Sequence, residues 1–153
     1  MTHKAAVRRM AEWLRLCKGY SVVISELSSR NMETPDVLAF KDGHHSMLIE
    51  CKVSRADFLS DKTKAFRAYP EMGVGDNRYY ASLPGIIKVT DLPAGWGLLE
   101  IHDRQIRTIK DSDFHKASKS AEVTILVSAL RRLSISTAVY VMAEEPESQE
   151  VAA

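Results

Sequence analysis

Two strand-length apolar segments that flank a tight turn constrain the fold of this chain most strongly. Residues 35–40 and 47–53 are rich in aliphatic side chains, and the segment between them contains Asp42-Gly43. Asp-Gly is a preferred sequence for a hairpin turn because it tolerates positive φ angles. The sequence therefore predicts an antiparallel hairpin. A β-branched segment at 20–27 precedes it and predicts a third strand in the same antiparallel meander.

Helical and strand patterns alternate along the rest of the chain. Apolar residues at helical spacing and capping signals predict helices at 4–18, 54–69 and 116–133. Shorter apolar segments predict further extended pieces at 78–83, 86–89, 96–101 and 105–109. The middle helix is long enough to return the fourth strand parallel to the third. The expected fold class is α/β.

The composition is typical of one globular domain. Of the 153 residues, 45% are hydrophobic and 27% charged, which excludes wholesale disorder. Residues 143–153 contain four glutamates and no lysine or arginine, so we predict a domain at 1–142 followed by a disordered acidic tail. The remaining 21 basic and 16 acidic residues are compatible with a nucleic-acid partner, and equally with an ordinary protein surface.

Several classes of protein are not expected from this sequence. No segment has the roughly 20 consecutive apolar residues that span a membrane. The first residues lack the apolar segment of a signal peptide, so we expect a cytoplasmic protein. Cys17 and Cys51 are too few for a disulfide scaffold.

The strand at 47–53 carries two charged side chains on one face. Its odd positions are apolar, whereas Glu50 and Lys52 alternate with them and lie roughly 7 Å apart. The hairpin brings Asp36 of the preceding strand toward Glu50. Two carboxylates beside a lysine are suited to a hard cation such as Mg²⁺, which polarises phosphoryl oxygens and supplies a nucleophilic water.

These residues carry a recognisable motif. Pro35-Asp36, a gap of thirteen residues and Glu50-Cys51-Lys52 resemble the PD-(D/E)XK nuclease motif. The surrounding sequence, over about 20–101, is similar to the MmcB-like DNA-repair branch of that superfamily and to related small phage and bacterial proteins. The resemblance implies a restriction-endonuclease-like core: a helix, a three-strand antiparallel meander, a crossover helix and further strands, with a C-terminal helix.

The resemblance also implies roles for individual residues. Asp36 and Glu50 would bind Mg²⁺ or Mn²⁺ together with the backbone carbonyl of Cys51. Lys52 would position or activate the attacking water. Glu26 would complete the acidic cluster.

Glu12 is the alternative to Glu26, since some superfamily members carry a glutamate on the first helix. We disfavour Glu12 because the helical phase places it on the solvated side with Lys4, Arg8 and Arg15. Four basic residues are candidate phosphate contacts: Arg55, Lys62, Lys64 and Arg78.

The expected function is a Mg²⁺- or Mn²⁺-dependent deoxyribonuclease of DNA repair, recombination or phage DNA metabolism. The alternative is a catalytically silent nuclease-fold module that binds DNA or a protein, for example a mobile-element counter-defence protein acting on a host partner. A homodimer is compatible with either function.

Simpler interpretations remain open for most of these residues. Glu50 and Lys52 fit a solvent-facing ion pair, and Asp36 fits the start of a strand. Asp61 fits the charged face of a helix. Tyr79 and Tyr80 fit either base stacking or core packing.

Overall fold

The computed structural model describes residues 1–27, 34–41, 43–61, 63 and 69–133. Predictions for Asp42, Lys62, Lys64, the end of the helix predicted at 54–69 and the acidic tail lie outside these residues. The elements are α1 (His3–Cys17), β1 (Val22–Ser25), β2 (Val37–Lys41), β3 (His45–Lys52), α2 (Arg55–Asp61), β4 (Asn77–Ser82), β5 (Gly97–Ile101), β6 (Ile106–Lys110) and α3 (Lys119–Arg132). Short 3-10 turns lie at Pro70–Met72 and Val89–Asp91.

The six strands form one mixed sheet in sequence order. β1, β2 and β3 pair antiparallel, as the short connections predict. β4 pairs parallel with both β3 and β5, and β6 returns antiparallel to β5. The predicted meander, the parallel return of the fourth strand and the α/β class are therefore confirmed.

Helices cover both faces of this sheet. Met10 and Leu14 of α1 are completely buried against one face, which includes Ile49 and Cys51 of β3. Thr2 caps α1 by accepting a hydrogen bond from the Ala5 amide, 3.2 Å from its Oγ. The opposite face is formed by even-numbered strand residues and packs against α2 and α3. Leu38, Leu48, Tyr80 and Leu98 of the strands form one cluster there with Phe58 of α2, Ile125 of α3 and Trp96.

Three local predictions differ from the structure. The first strand is shorter than 20–27 because Glu26 adopts a φ of +49°, which ends the ladder after Ser25. Residues 86–89 are not a strand, since the turn at Gly85 (φ +80°) leads into a 3-10 turn. Cys17 follows Val7, Met10 and Leu14 at the apolar spacing that predicts the first helix and is therefore expected to be buried, but it is exposed. Each helix within the described ranges is too short or too polar to cross a lipid bilayer.

A buried ionic network attaches α3 to the sheet. Lys119 Nζ lies 2.6 Å from Asp76 Oδ2 and 2.9 Å from Glu122 Oε2. Ser46 Oγ, at the start of β3, donates to Glu122 Oε1 at 2.5 Å. The Gly75 amide donates to the same glutamate oxygen at 2.9 Å. The network therefore joins three chain segments at one point beneath α3.

This network predicts acid sensitivity of the fold. Burial alone would raise the pKa of Asp76, but hydrogen bonds from Lys119 and Ser46 outweigh it and hold the pKa below 3.8. The ionised Asp76 carboxylate therefore stabilises the fold fully above pH 3.8, and this stabilisation is lost as the pH falls through the lower pKa that Asp76 has in the folded state. We expect Asp76→Asn to reduce the free energy of unfolding by about 1.5–3 kcal/mol at neutral pH. In urea denaturation, the free energies of unfolding of the wild type and Asp76→Asn should differ less at pH 3 than at neutral pH. A difference that does not change with pH would show that the charge of Asp76 is not its cause.

Candidate functional site

Asp36 is attached directly to the strand that carries Glu50 and Lys52. The Cys51 amide donates a hydrogen bond to Asp36 Oδ2 at 2.8 Å. The last β2–β3 pair is Val37 with Ile49, so Asp36 and Glu50 are the next residues along the two strands. Because the amide and carbonyl of one strand residue lie on the same side of the strand, the Cys51 carbonyl also lies on the β2 side of β3.

Glu50 and Lys52 are not a surface ion pair. Their exposed fractions are 3% and 5%, and Lys52 Nζ lies 3.6 Å from Glu50 Oε2. The predicted alternation along β3 is correct, but both faces of the strand are covered. The solvent-facing interpretation is therefore wrong.

Lys52 belongs to a buried network that includes the end of α2. Its Nζ donates to Asp61 Oδ1 at 3.1 Å and lies 4.0 Å from Asp57 Oδ1. The Tyr80 hydroxyl donates to the other Asp61 oxygen at 2.6 Å. Asp61 is itself buried, so its assignment to a solvated helix face is also wrong.

This environment keeps Lys52 protonated. Burial alone would lower the pKa of its ammonium group, but the negative charges of Glu50 and Asp61, and then of Asp36, outweigh it and raise the pKa above 10.5. Lys52 is therefore a cation at neutral pH. In this form it can donate hydrogen bonds and neutralise negative charge.

The buried thiol of Cys51 responds to the same group of charges. Burial raises its pKa most, and Asp36, Glu50 and Glu26 raise it further while Lys52 lowers it. The four residues predicted to form the site therefore lie close enough to one thiol to affect its ionisation. Cys51 itself stays a neutral core residue.

Glu26 lies at the exposed side of this cluster, where His3 bridges it to Asp36. His3 Nε2 is 3.5 Å from Glu26 Oε1 and 3.4 Å from Asp36 Oδ1. The side chains of Glu26 and Asp36 are 48% and 15% exposed, so access to the cluster is from this side. The positive φ of Glu26 is uncommon for a residue with a side chain, and such strain concentrates at functional sites.

Glu12 is exposed on α1, as the helical phase predicts. It lies nine residues after His3, which corresponds to roughly 13 Å along the helix axis. His3 of α1 contacts both Asp36 and Glu26, so Glu26 is the better candidate for the acidic cluster.

Two candidate phosphate contacts have partners within the protein. Arg78 is 2% exposed, and its guanidinium donates to the carbonyls of Pro70, Gly73 and Gly75. Its prediction as a phosphate contact is wrong, because this buried side chain anchors the loop before β4. Arg55 is exposed and forms an ion pair with Asp91 at 2.7 Å, so its role stays a prediction.

Sequence reasoning missed three residues around the site. His3 lies before the apolar helical pattern begins. In sequence, Asp61 looks like any charged residue on a solvent-exposed helix face. Tyr80 is a core residue that stacks on Trp96 with ring centroids 4.6 Å apart, which excludes base stacking. The Tyr80 hydroxyl donates its hydrogen bond to Asp61, 19 residues earlier in the chain, and no pattern in the sequence around Tyr80 predicts that contact.

The donor set fits a hard cation. Among the described residues, no group of three or more histidine, cysteine, aspartate or glutamate side chains could hold a metal ion by itself. Mg²⁺ does not require such a group, because it retains several waters and commonly uses one or two carboxylates. Asp36, Glu50 and the Cys51 carbonyl are oxygen donors of this type; Asp36 immediately precedes β2, and Glu50 and Cys51 are consecutive residues of β3.

The Tyr80–Asp61 hydrogen bond can be tested by itself. We expect Tyr80→Phe to reduce the free energy of unfolding by about 1.5–3 kcal/mol, because a buried carboxylate loses a donor. Tyr79→Phe is the matched control, since no hydrogen bond of the Tyr79 hydroxyl occurs within the described residues. Equal losses for the two variants in urea denaturation would contradict a specific role for the Tyr80 hydroxyl.

Comparison with known proteins supports the fold. No protein-family model matches the sequence, and no curated protein matches it significantly. A solved structure, the SPO1766 protein of unknown function from Silicibacter pomeroyi, is similar with a TM-score of 0.67. The two chains are 25% identical, and the similarity covers 88% of this chain and 90% of the other.

Proposed function

We propose that this chain is a Mg²⁺- or Mn²⁺-dependent deoxyribonuclease with a restriction-endonuclease-like core. The observation that carries the proposal is the hydrogen bond between Asp36 and the Cys51 amide. It holds one carboxylate of a PD-(D/E)XK-like motif against the strand segment that contains the other carboxylate and the lysine. The arrangement spans two strands, and its residue types match the chemistry of phosphodiester hydrolysis.

Asp36, Glu50 and the Cys51 carbonyl would hold the cation. A bound divalent cation would polarise a phosphoryl oxygen and increase the acidity of a coordinated water. Glu26, at the exposed side, would accept a hydrogen bond from water at the entrance to the site. Its left-handed backbone and its contact with His3 orient it toward Asp36.

Lys52 would act as a fixed cation. Since Asp61 and Glu50 keep it protonated, its role is to donate a hydrogen bond and to neutralise negative charge that develops on the phosphate. Asp61 would position Lys52, and the Tyr80 hydroxyl would in turn hold Asp61.

A nuclease assay tests the proposal. Purified protein is incubated with single-stranded, duplex, nicked and branched DNA in the presence of Mg²⁺, Mn²⁺ or EDTA. Cleavage should require the divalent cation and should be absent in EDTA. Metal-independent cleavage, or cleavage that survives in a variant lacking Asp36, would reject the proposed site.

The burial of Glu50 and Lys52 favours one second candidate. A nuclease-fold module that binds DNA or a host protein without cleaving it would not need these groups to reach a phosphate. Salt-sensitive DNA binding without cleavage under any of the metal conditions would support this function. A homodimer is compatible with both proposals.

A further inference from the structure

A cleft between α1 and β1 opens beside the candidate site. Its volume is about 560 Å³, and its lining includes Glu26, which also contacts His3. Val23 and Ala11 contribute apolar walls. β1 is the edge strand of the sheet, so the cleft is bounded by one helix and one sheet edge.

One side of the cleft is basic. Lys4, Arg8 and Arg15 line it, and all three are exposed. None of them forms an ion pair or hydrogen bond with another residue in the described part of the chain. Glu12 lies between Arg8 and Arg15 on the same side, so the four α1 side chains carry a net positive charge.

We propose that this cleft binds a single strand of DNA and directs it toward Asp36, an inference that rests on the function proposed above. Lys4, Arg8 and Arg15 lie on one face of α1 and extend along roughly 16 Å of its axis. The three cations can therefore contact up to three phosphates of one strand. The cations contact phosphates, and the apolar walls accommodate sugars and bases.

The dimensions favour one strand over two. A volume of about 560 Å³ lies in the range of small-ligand sites, so the cleft can enclose only a short part of one strand at a time and cannot enclose a duplex. A strand that enters along Arg15 and Arg8 reaches Lys4, the residue that follows His3 in α1. There its backbone lies next to the accessible side of Asp36 and Glu26. The proposed substrate is therefore a single strand or the unpaired end of a duplex.

The test measures DNA binding separately from cleavage. Fluorescence anisotropy of a labelled oligothymidylate is recorded with Ca²⁺ in place of Mg²⁺ and Mn²⁺, and the probe is checked to be intact. The cleft variant is Lys4→Gln/Arg8→Gln/Arg15→Gln. We expect its affinity to fall by at least about tenfold and the slope of log affinity against log salt to decrease by about 2.

The control variant removes the same charge elsewhere. Lys88, Lys116 and Arg131 are exposed and lie outside the cleft, so the triple glutamine variant at these positions should bind like the wild type. Equal weakening in the two variants, or unchanged affinity of the cleft variant, would overturn the inference. A wild-type protein that does not bind the oligonucleotide, or that binds an equivalent duplex as tightly, would also overturn it. Cleft-dependent binding without cleavage would support the cleft as a single-strand binding site but reject the nuclease function, and with it the delivery of the strand to a catalytic Asp36.

Discussion

Asp36→Asn should abolish metal-dependent cleavage while leaving the fold intact. Asparagine retains an oxygen that can accept the hydrogen bond from the Cys51 amide, but it removes the negative charge that would bind a cation. Because a bound metal contributes several kcal/mol to transition-state stabilisation, we expect cleavage to decrease by about 10³-fold. Circular dichroism should be unchanged, and Mn²⁺ binding measured by calorimetry should be lost.

Asp103→Asn provides the matched control for this change. Asp103 is exposed in the turn between β5 and β6, away from the candidate site, so its amide variant should cleave and bind Mn²⁺ like the wild type. Both variants are purified by the same procedure, so equal cleavage in the two preparations would reveal a contaminating nuclease. Wild-type cleavage by Asp36→Asn would show that Asp36 is not part of the catalytic site.

Lys52→Met should cause the largest loss of stability of any single substitution near the site. Lys52 is 5% exposed and lies within 4.0 Å of three carboxylates, which belong to Glu50, Asp57 and Asp61. Removal of one partner of a buried ion pair leaves uncompensated charge, which costs about 3–5 kcal/mol. Urea denaturation should show a decrease of this size in the free energy of unfolding.

A second substitution separates charge from packing in this network. If uncompensated charge causes the loss, Lys52→Met/Asp61→Asn should regain part of the stability, because one of the carboxylates is neutralised. Lys116→Met, at an exposed position, should change the free energy of unfolding by less than about 0.5 kcal/mol. Failure of the double variant to regain stability would assign the loss to packing.

Local sequence signals were sufficient to predict the central part of the fold. Alternating side chains and the Asp42-Gly43 turn predict the β2–β3 hairpin, and its register places Asp36 next to Glu50. Turn residues and alternation act between near neighbours, so their effects can be read from a short segment. The same reasoning failed at Glu26, because the left-handed backbone there is stabilised by hydrogen bonds to the distant carbonyls of Pro35 and Asp36.

The surroundings of the site depended on contacts between distant segments. Alternation shows that Glu50 and Lys52 share a face, but it does not show what covers that face. Asp61 and Tyr80 approach Lys52 from α2 and β4, and both look like ordinary surface or core residues in their own segments. Arg78 looks like a surface cation in sequence, yet the carbonyls of a loop surround it.

The amino-acid sequence by itself determined the α/β class, the antiparallel meander of β1, β2 and β3 with the parallel return of β4, and the placement of Asp36 beside Glu50, because these follow from periodicity and turn chemistry along the chain. Only the tertiary structure decided that the lysine is buried and is held in its protonated form at neutral pH, that His3 connects Asp36 to Glu26, and that a basic cleft adjoins them. Those properties arise from side chains that are far apart in sequence and meet only when α1 and α2 pack on opposite faces of the sheet.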